Sequence, residues 1–191
     1  CGGYEPIADP ADVVVVSHEN DRYHSHLGQI APPFQVVRAL ELPEDGEEVR
    51  GVRFRAIRVF ETPERKPGDE VTVIHFRSEG LHVVFLGDLG HLLSEEELAP
   101  IRGADVLLVP AGGTPTIHLD EVAALVDSID PRVVVPMHFK TPKIDLAIQP
   151  VEQFLERFPG VPVVSINAPA IEIGPDSLPG RREIWRLPYV R

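Results

Sequence analysis

Three short aliphatic runs in this chain each stop at a residue able to bind a metal ion. Val13–Val16 leads through Ser17 to His18, residues 83–86 lead through Gly87 to Asp88, and residues 133–135 lead through Pro136 and Met137 to His138. A fourth run, 106–109, ends in Pro110, Ala111 and the pair Gly112-Gly113, where a backbone can approach a ligand closely. A continuous run of β-branched and aliphatic residues reads as a strand buried on both faces. Parallel strands of an α/β sheet present their carboxyl ends along one rim, and such folds place their sites there. The pattern therefore predicts remote imidazole and carboxylate groups raised on rigid strands to a common edge.

Periodicity supplies the rest of the frame. Strands are expected over 34–40 and 52–60, the second from alternation of Val52, Phe54, Ala56 and Phe60 with Arg53, Arg55 and Arg58. Glu44-Asp45-Gly46 reads as a turn between them. Segments 70–77 and 81–86 flank Ser78-Glu79-Gly80 as a hairpin. Ser94 and Glu97 have capping-box spacing ahead of a short helix. Val122, Leu125, Val126 and Ile129 recur at helical spacing and predict a helix over 119–129. A strand at 133–135, a helix at 151–158 and a strand at 161–166 complete an alternation typical of parallel βαβ units. The first half reads instead as a meander of strands. The expected class is α/β with a mixed sheet, or two sheets facing each other, in one domain spanning residues 1–191.

Composition excludes some functions. A net charge of −12 disfavours nucleic acid or an anionic membrane as the main partner. No apolar run approaches the ~20 residues of a membrane span. The single cysteine, Cys1, permits neither an internal disulfide nor a thiolate cluster, which is compatible with a cytoplasmic location. Twenty prolines suit stiff loops and heat tolerance. The chain opens on Cys-Gly-Gly, so a missing front end is expected. The implied partner is a small-molecule substrate, with homo-oligomerisation left open. Imidazole and carboxylate ligands without thiolates suit zinc, manganese or iron, with a coordination position open to water.

The blocks VSHENDRYH, FLGDLGH, VPAGGTPTIHLDE and VVVPMHFKT resemble the metallo-β-lactamase-like hydrolase superfamily, in the branch of metal-dependent hydrolases near the sugar-lactone hydrolases. The resemblance covers residues 5 to 143. It implies an αββα sandwich of two mixed β-sheets flanked by helices, with metal at the sheet rim, and an N-terminal strand hairpin that this chain lacks. It also implies ligands. Ser17 and His18 match the first motif, T/S-H-x-H-x-D-H. Asn20, Arg22 and Tyr23 stand where His, Asp and His belong, while Asp21 and His24 are each one residue out of register. Glu61 occupies the place of the family's next His, Asp88 that of the bridging Asp, and His138 that of the final His.

The implied activity is hydrolysis of an ester, lactone, amide or phosphoester by a metal-activated water, with one or two zinc ions. His18, Asp88 and His138 form the ligand set, and His24, Asp21 or Glu61 complete it. Asp88 or Asp21 would orient the water. His91 would line the pocket, orient a ligand or shuttle protons. Two rivals stand beside this reading: a binding or scaffold protein of the same fold that has lost its metal, and a redox diiron protein. His75, His82 and His118 are read as structural, with His118 at a helix cap. His26 and Glu19 are equally suited to solvent, Arg181-Arg182 reads as a solvated loop, and Trp185 and Tyr189 as packing or subunit contacts.

Overall fold

The computed structural model describes residues 9–20, 25–168 and 170–189. Among the described residues, ten strands divide into a two-stranded sheet and an eight-stranded one. The small sheet pairs β1 (Val13–Val16) in parallel with β2 (Gln35–Arg38). The large sheet holds β3 (Glu47–Val49), β4 (Val52–Phe60), β5 (Glu70–Ser78), β6 (Leu81–Phe85), β7 (Val106–Pro110), β8 (Val133–Met137), β9 (Val163–Ser165) and β10 (Glu183–Arg186). Its order is β3-β4-β5-β6-β7-β8-β10-β9. Pairing is antiparallel from β3 to β6 and parallel from β6 onward.

Turn chemistry sets the antiparallel half. Arg50-Gly51 and Glu79-Gly80 are two-residue loops with positive φ at both positions, 53° and 78° in the first, 49° and 83° in the second. Such loops match the twist of the strands they join. Glu44-Asp45-Gly46 lies before β3 rather than directly between two long strands, so the sheet gains an edge strand the sequence reading omitted. The other correction to that reading is β1–β2, which is parallel and hence no meander.

Alternation along the strands sends residues to two faces. Val59, Val71, Val73, Leu107, Val109, Val134 and Ile184 join one core with α1 (Glu95–Leu98), α2 (Leu119–Ile129) and α3 (Val151–Leu155). The expected stripe Val122, Leu125, Val126 and Ile129 is buried there, each residue contributing ~1.5–3 kcal/mol. The α2 helix stops at Asp130, whose left-handed φ of 55° precedes Pro131. On α1 the Ser94–Glu97 capping box forms in both directions. His118 does occupy the N-cap of α2, but its side chain accepts no capping bond.

The opposite face packs Val106, Val133 and Val135 against Leu178, Trp185 and Leu187. At its other end it meets the small sheet, where Thr72 Oγ1 donates to Ser17 O at 2.8 Å and Arg58 Nη2 to Leu40 O at 2.5 Å. Two sheets thus face each other, as expected. Among the described residues the helical layer stands on one side only. No helix among them is long and apolar enough to cross a membrane.

Candidate active site at the strand ends

Asp88, Gly112 and His138 follow the carboxyl ends of β6, β7 and β8, three adjacent parallel strands in register from Val83↔Val106 to Pro110↔Met137. Leu86 N continues the ladder to Leu108 O, and Ala111 N to Met137 O, so the strands terminate side by side. A Cβ on Gly112 would lie 2.3 Å from His138 O. Only glycine lets these two strand ends touch.

His138 combines two costs. Its φ is +48°, a left-handed conformation that is strained for a residue with a Cβ. Its Nδ1 is buried without a hydrogen-bond partner among the described residues. Both are the kind of expense that structure alone does not explain and that a ligand for the ring would offset. Asp88 is 7% exposed and follows Gly87, whose φ is +60°.

His18 is 8% exposed and lies just beyond β1, with its Nδ1 3.1 Å from Ser17 Oγ. Thr72, fully buried on β5, connects it to Asp88. The threonine hydroxyl holds Ser17 O, and its carbonyl lies 3.1 Å from where a Gly87 Cβ would be. The residues preceding His18 and Asp88 therefore both touch Thr72. Sequence reading missed this threonine, although a polar residue inside the apolar run Val71–Ile74 was the available signal.

The loop after β6 is pinned from two further sides. Leu89 O accepts from Ile117 N at 2.9 Å, in the loop leading to α2. Gly90 N donates to Phe60 O at 2.9 Å, and a Cβ on Gly90 would sit 1.8 Å from Glu61 O. Glu61, just beyond β4, is half-buried beside this loop. His91 is buried, with Nε2 3.2 Å from Phe60 N and Nδ1 2.8 Å from Leu92 O.

Asp21 and His24 lie outside the described residues, as do Arg22 and Tyr23. The residues bracketing them are tied, Asn20 N donating to Ser25 Oγ at 2.8 Å. Glu19 forms an ion pair with Arg38 at 2.8 Å, with both side chains about half exposed. His26 stands at the N-cap of a short 3-10 turn without a capping bond from its side chain. Among the described residues no three or more His, Cys, Asp or Glu side chains gather into a group that could hold a metal ion. His18, Asp88 and His138 share the rim without closing a donor set by themselves. The donor chemistry, the unpartnered nitrogen of His138 and the Gly112 approach nevertheless fit a divalent cation with nitrogen and oxygen ligands.

His75 and His82 are elsewhere, at the opposite end of β5 and β6. His82 Nε2 and His75 Nδ1 are 3.4 Å apart, and the rings meet edge to face. Burial, then the neighbouring His82, Arg55 and Arg77, push His75 down to about 4. Burial and Arg77 also lower His82, against Asp105. The structural reading of both is consistent with this packing.

Known proteins resemble the chain in sequence and shape. A UPF0173 protein of Pyrococcus furiosus is 34% identical over 117 residues, 61% of this chain and 51% of that protein. A UPF0173 metal-dependent hydrolase of Methanocaldococcus jannaschii is 26% identical over 141 residues, 73% of this chain and 62% of that protein. The chain thus spans half to two thirds of the length of these relatives. A Thermotoga maritima structure, described as a candidate Zn-dependent hydrolase of the metallo-β-lactamase superfamily, superposes with TM-score 0.73 at 30% identity, covering 94% of this chain and 87% of that one. The model of the β-lactamase superfamily domain matches residues 2–138, from before β1 to the histidine that follows β8, and the chain belongs to that family.

Proposed function

We propose that this chain is a metal-dependent hydrolase acting on a small ester, lactone, amide or phosphoester. The observation that carries the reading is His138, just beyond β8: a left-handed backbone and a buried Nδ1 that has no hydrogen-bond partner among the described residues. The similarity to proteins named metal-dependent hydrolases supports it. His18, Asp88 and His138 would hold the cation, zinc by preference over manganese or iron, and Glu61 and His24 would complete its shell. When bound, such a cation supplies Lewis acidity and a water of lowered pKa.

The chain's own residues do the rest. Asp88, at 7% exposure, offers a carboxylate that accepts a water's hydrogen and fixes its direction, with Asp21 a second acceptor. Gly112 lets the end of β7 lie directly against the His138 carbonyl and so holds that histidine at the rim. A net charge of −12 favours a small substrate over a polyanion, and the lack of cysteine chemistry suits a cytoplasmic location.

The test is elemental analysis of purified protein, followed by assays with p-nitrophenyl acetate, γ-butyrolactone and bis(p-nitrophenyl) phosphate before and after chelation. Stoichiometric metal and chelator-sensitive turnover of one probe are expected. The alternative, a binding or scaffold protein of this fold, is favoured by the missing three-residue donor group among the described residues. Protein that takes up no zinc, manganese or iron would establish that alternative.

A further inference from the structure

We infer that His91 is a positioning residue that clamps the Asp88 loop onto the end of β4, and that it carries no proton to or from a substrate. This rests on the reading of Asp88 as part of the hydrolytic site.

The hydrogen bonds settle the tautomer. Phe60 N–H can only donate, so the Nε2 facing it at 3.2 Å holds a lone pair. The ring proton is then on Nδ1, which donates to Leu92 O at 2.8 Å. Arg65 Nη2 lies 3.1 Å from that same Nδ1. Both are donors, so the guanidinium makes no bond to the ring and turns instead to Leu92 O at 3.5 Å. Neither ring nitrogen is left for a water or a substrate. A general acid or base needs one that is.

The same contacts state what the ring does. His91 is 6% exposed, wedged beside Phe60 with ring centroids 6.2 Å apart. It takes the Phe60 amide while Gly90 N takes the Phe60 carbonyl, so both polar groups of one residue at the end of β4 belong to the Asp88 loop. The absent Cβ of Gly90 lets this loop lie directly on the Glu61 peptide. Two rim residues from different strands, Asp88 and Glu61, are thereby fixed relative to each other through His91 and Gly90. Removing such an outer partner of a metal site costs ~10–100-fold in metal affinity or activity.

The experiment compares His91→Ala with His91→Gln. A glutamine Oε1 can accept from Phe60 N but cannot exchange protons near neutral pH. In His91→Ala, amide exchange at Phe60 and Gly90 should accelerate at least ~10-fold and zinc affinity, read by chelator competition, should fall ~10–100-fold. His91→Gln should restore both to within a few-fold and keep the shape of the pH–rate profile. The inference is overturned if His91→Ala leaves the two amides and zinc affinity unchanged. It is also overturned if His91→Gln keeps amide protection yet loses turnover and one limb of the pH profile. Should the unsubstituted protein take up no zinc, the hydrolase reading fails, and the amide exchange alone decides for or against the clamp.

Discussion

Acidification should strike the far end of the sheet first. His75 is 6% exposed and held down from 6.5 to about 4. Burial is the leading cause, and His82 on β6, Arg55 on β4 and Arg77 on β5 work in the same direction. Asp105, which accepts from His82 N at 2.7 Å, works the other way on His82. A histidine whose folded pKa lies below its unfolded value favours the fold while neutral. Its contribution is complete above pH 6.5, is lost as pH falls from 6.5 toward 4, and declines no further below that. One extra proton on the unfolded chain costs ~1.4 kcal/mol per pH unit, so the 2.5-unit window (6.5 − 4) amounts to roughly 3 kcal/mol. Against a typical total of ~5–15 kcal/mol this is a large fraction.

Urea unfolding of the native sequence and of His75→Leu, at half-unit steps from pH 7 to 4, isolates the effect. Carboxylates common to both proteins cancel in the difference. The native sequence should lose roughly 3 kcal/mol more than the variant across that range. Identical pH dependence in the two proteins, or a His75 C2–H resonance titrating near 6.5, would refute the reasoning.

Other consequences are as direct. His138→Asn, a residue that tolerates left-handed backbone, should abolish metal uptake while altering metal-free stability by less than ~1 kcal/mol in urea. Gly90→Ala must displace the Glu61 peptide, 1.8 Å from the new methyl, and should cost at least ~2–3 kcal/mol by the same measurement. Ser94→Ala removes the reciprocal bonds at the start of α1 and should cost ~1 kcal/mol, seen as a lower urea midpoint with unchanged slope. Chelation of metal-loaded protein should lower Tm, whereas the same chelator should leave His138→Asn unmoved.

Two strands and the longest helix were legible because burial writes them plainly. Val13–Val16, Val52–Phe60 and Leu119–Ile129 have the bounds their patterns predict. Glu47–Val49 and Glu183–Arg186 escaped because three or four residues with charged members carry no period. Their strand character comes from the neighbour they pair with, Arg53 opposite Glu48 and Val134 opposite Ile184. Sequence also placed His18, Asp88 and His138 at strand ends, since a run followed by a polar residue is a local signal. It could not show that Thr72 and Gly90 hold those ends in place. Such contacts join residues 55 and 29 positions apart, Ser17 to Thr72 and Glu61 to Gly90, and no short window contains both partners.

The order β8-β10-β9 gives the sheet a gap that the chain fills late. During synthesis β8 and β9 both emerge before Glu183, and each must wait with a bare edge for the strand that separates them. Trimming this sequence ahead of Glu183 would therefore not shave a tail from the protein. It would leave β9 detached and the ladder of β8 open at Val133 and Val134, an invitation to pair with another molecule.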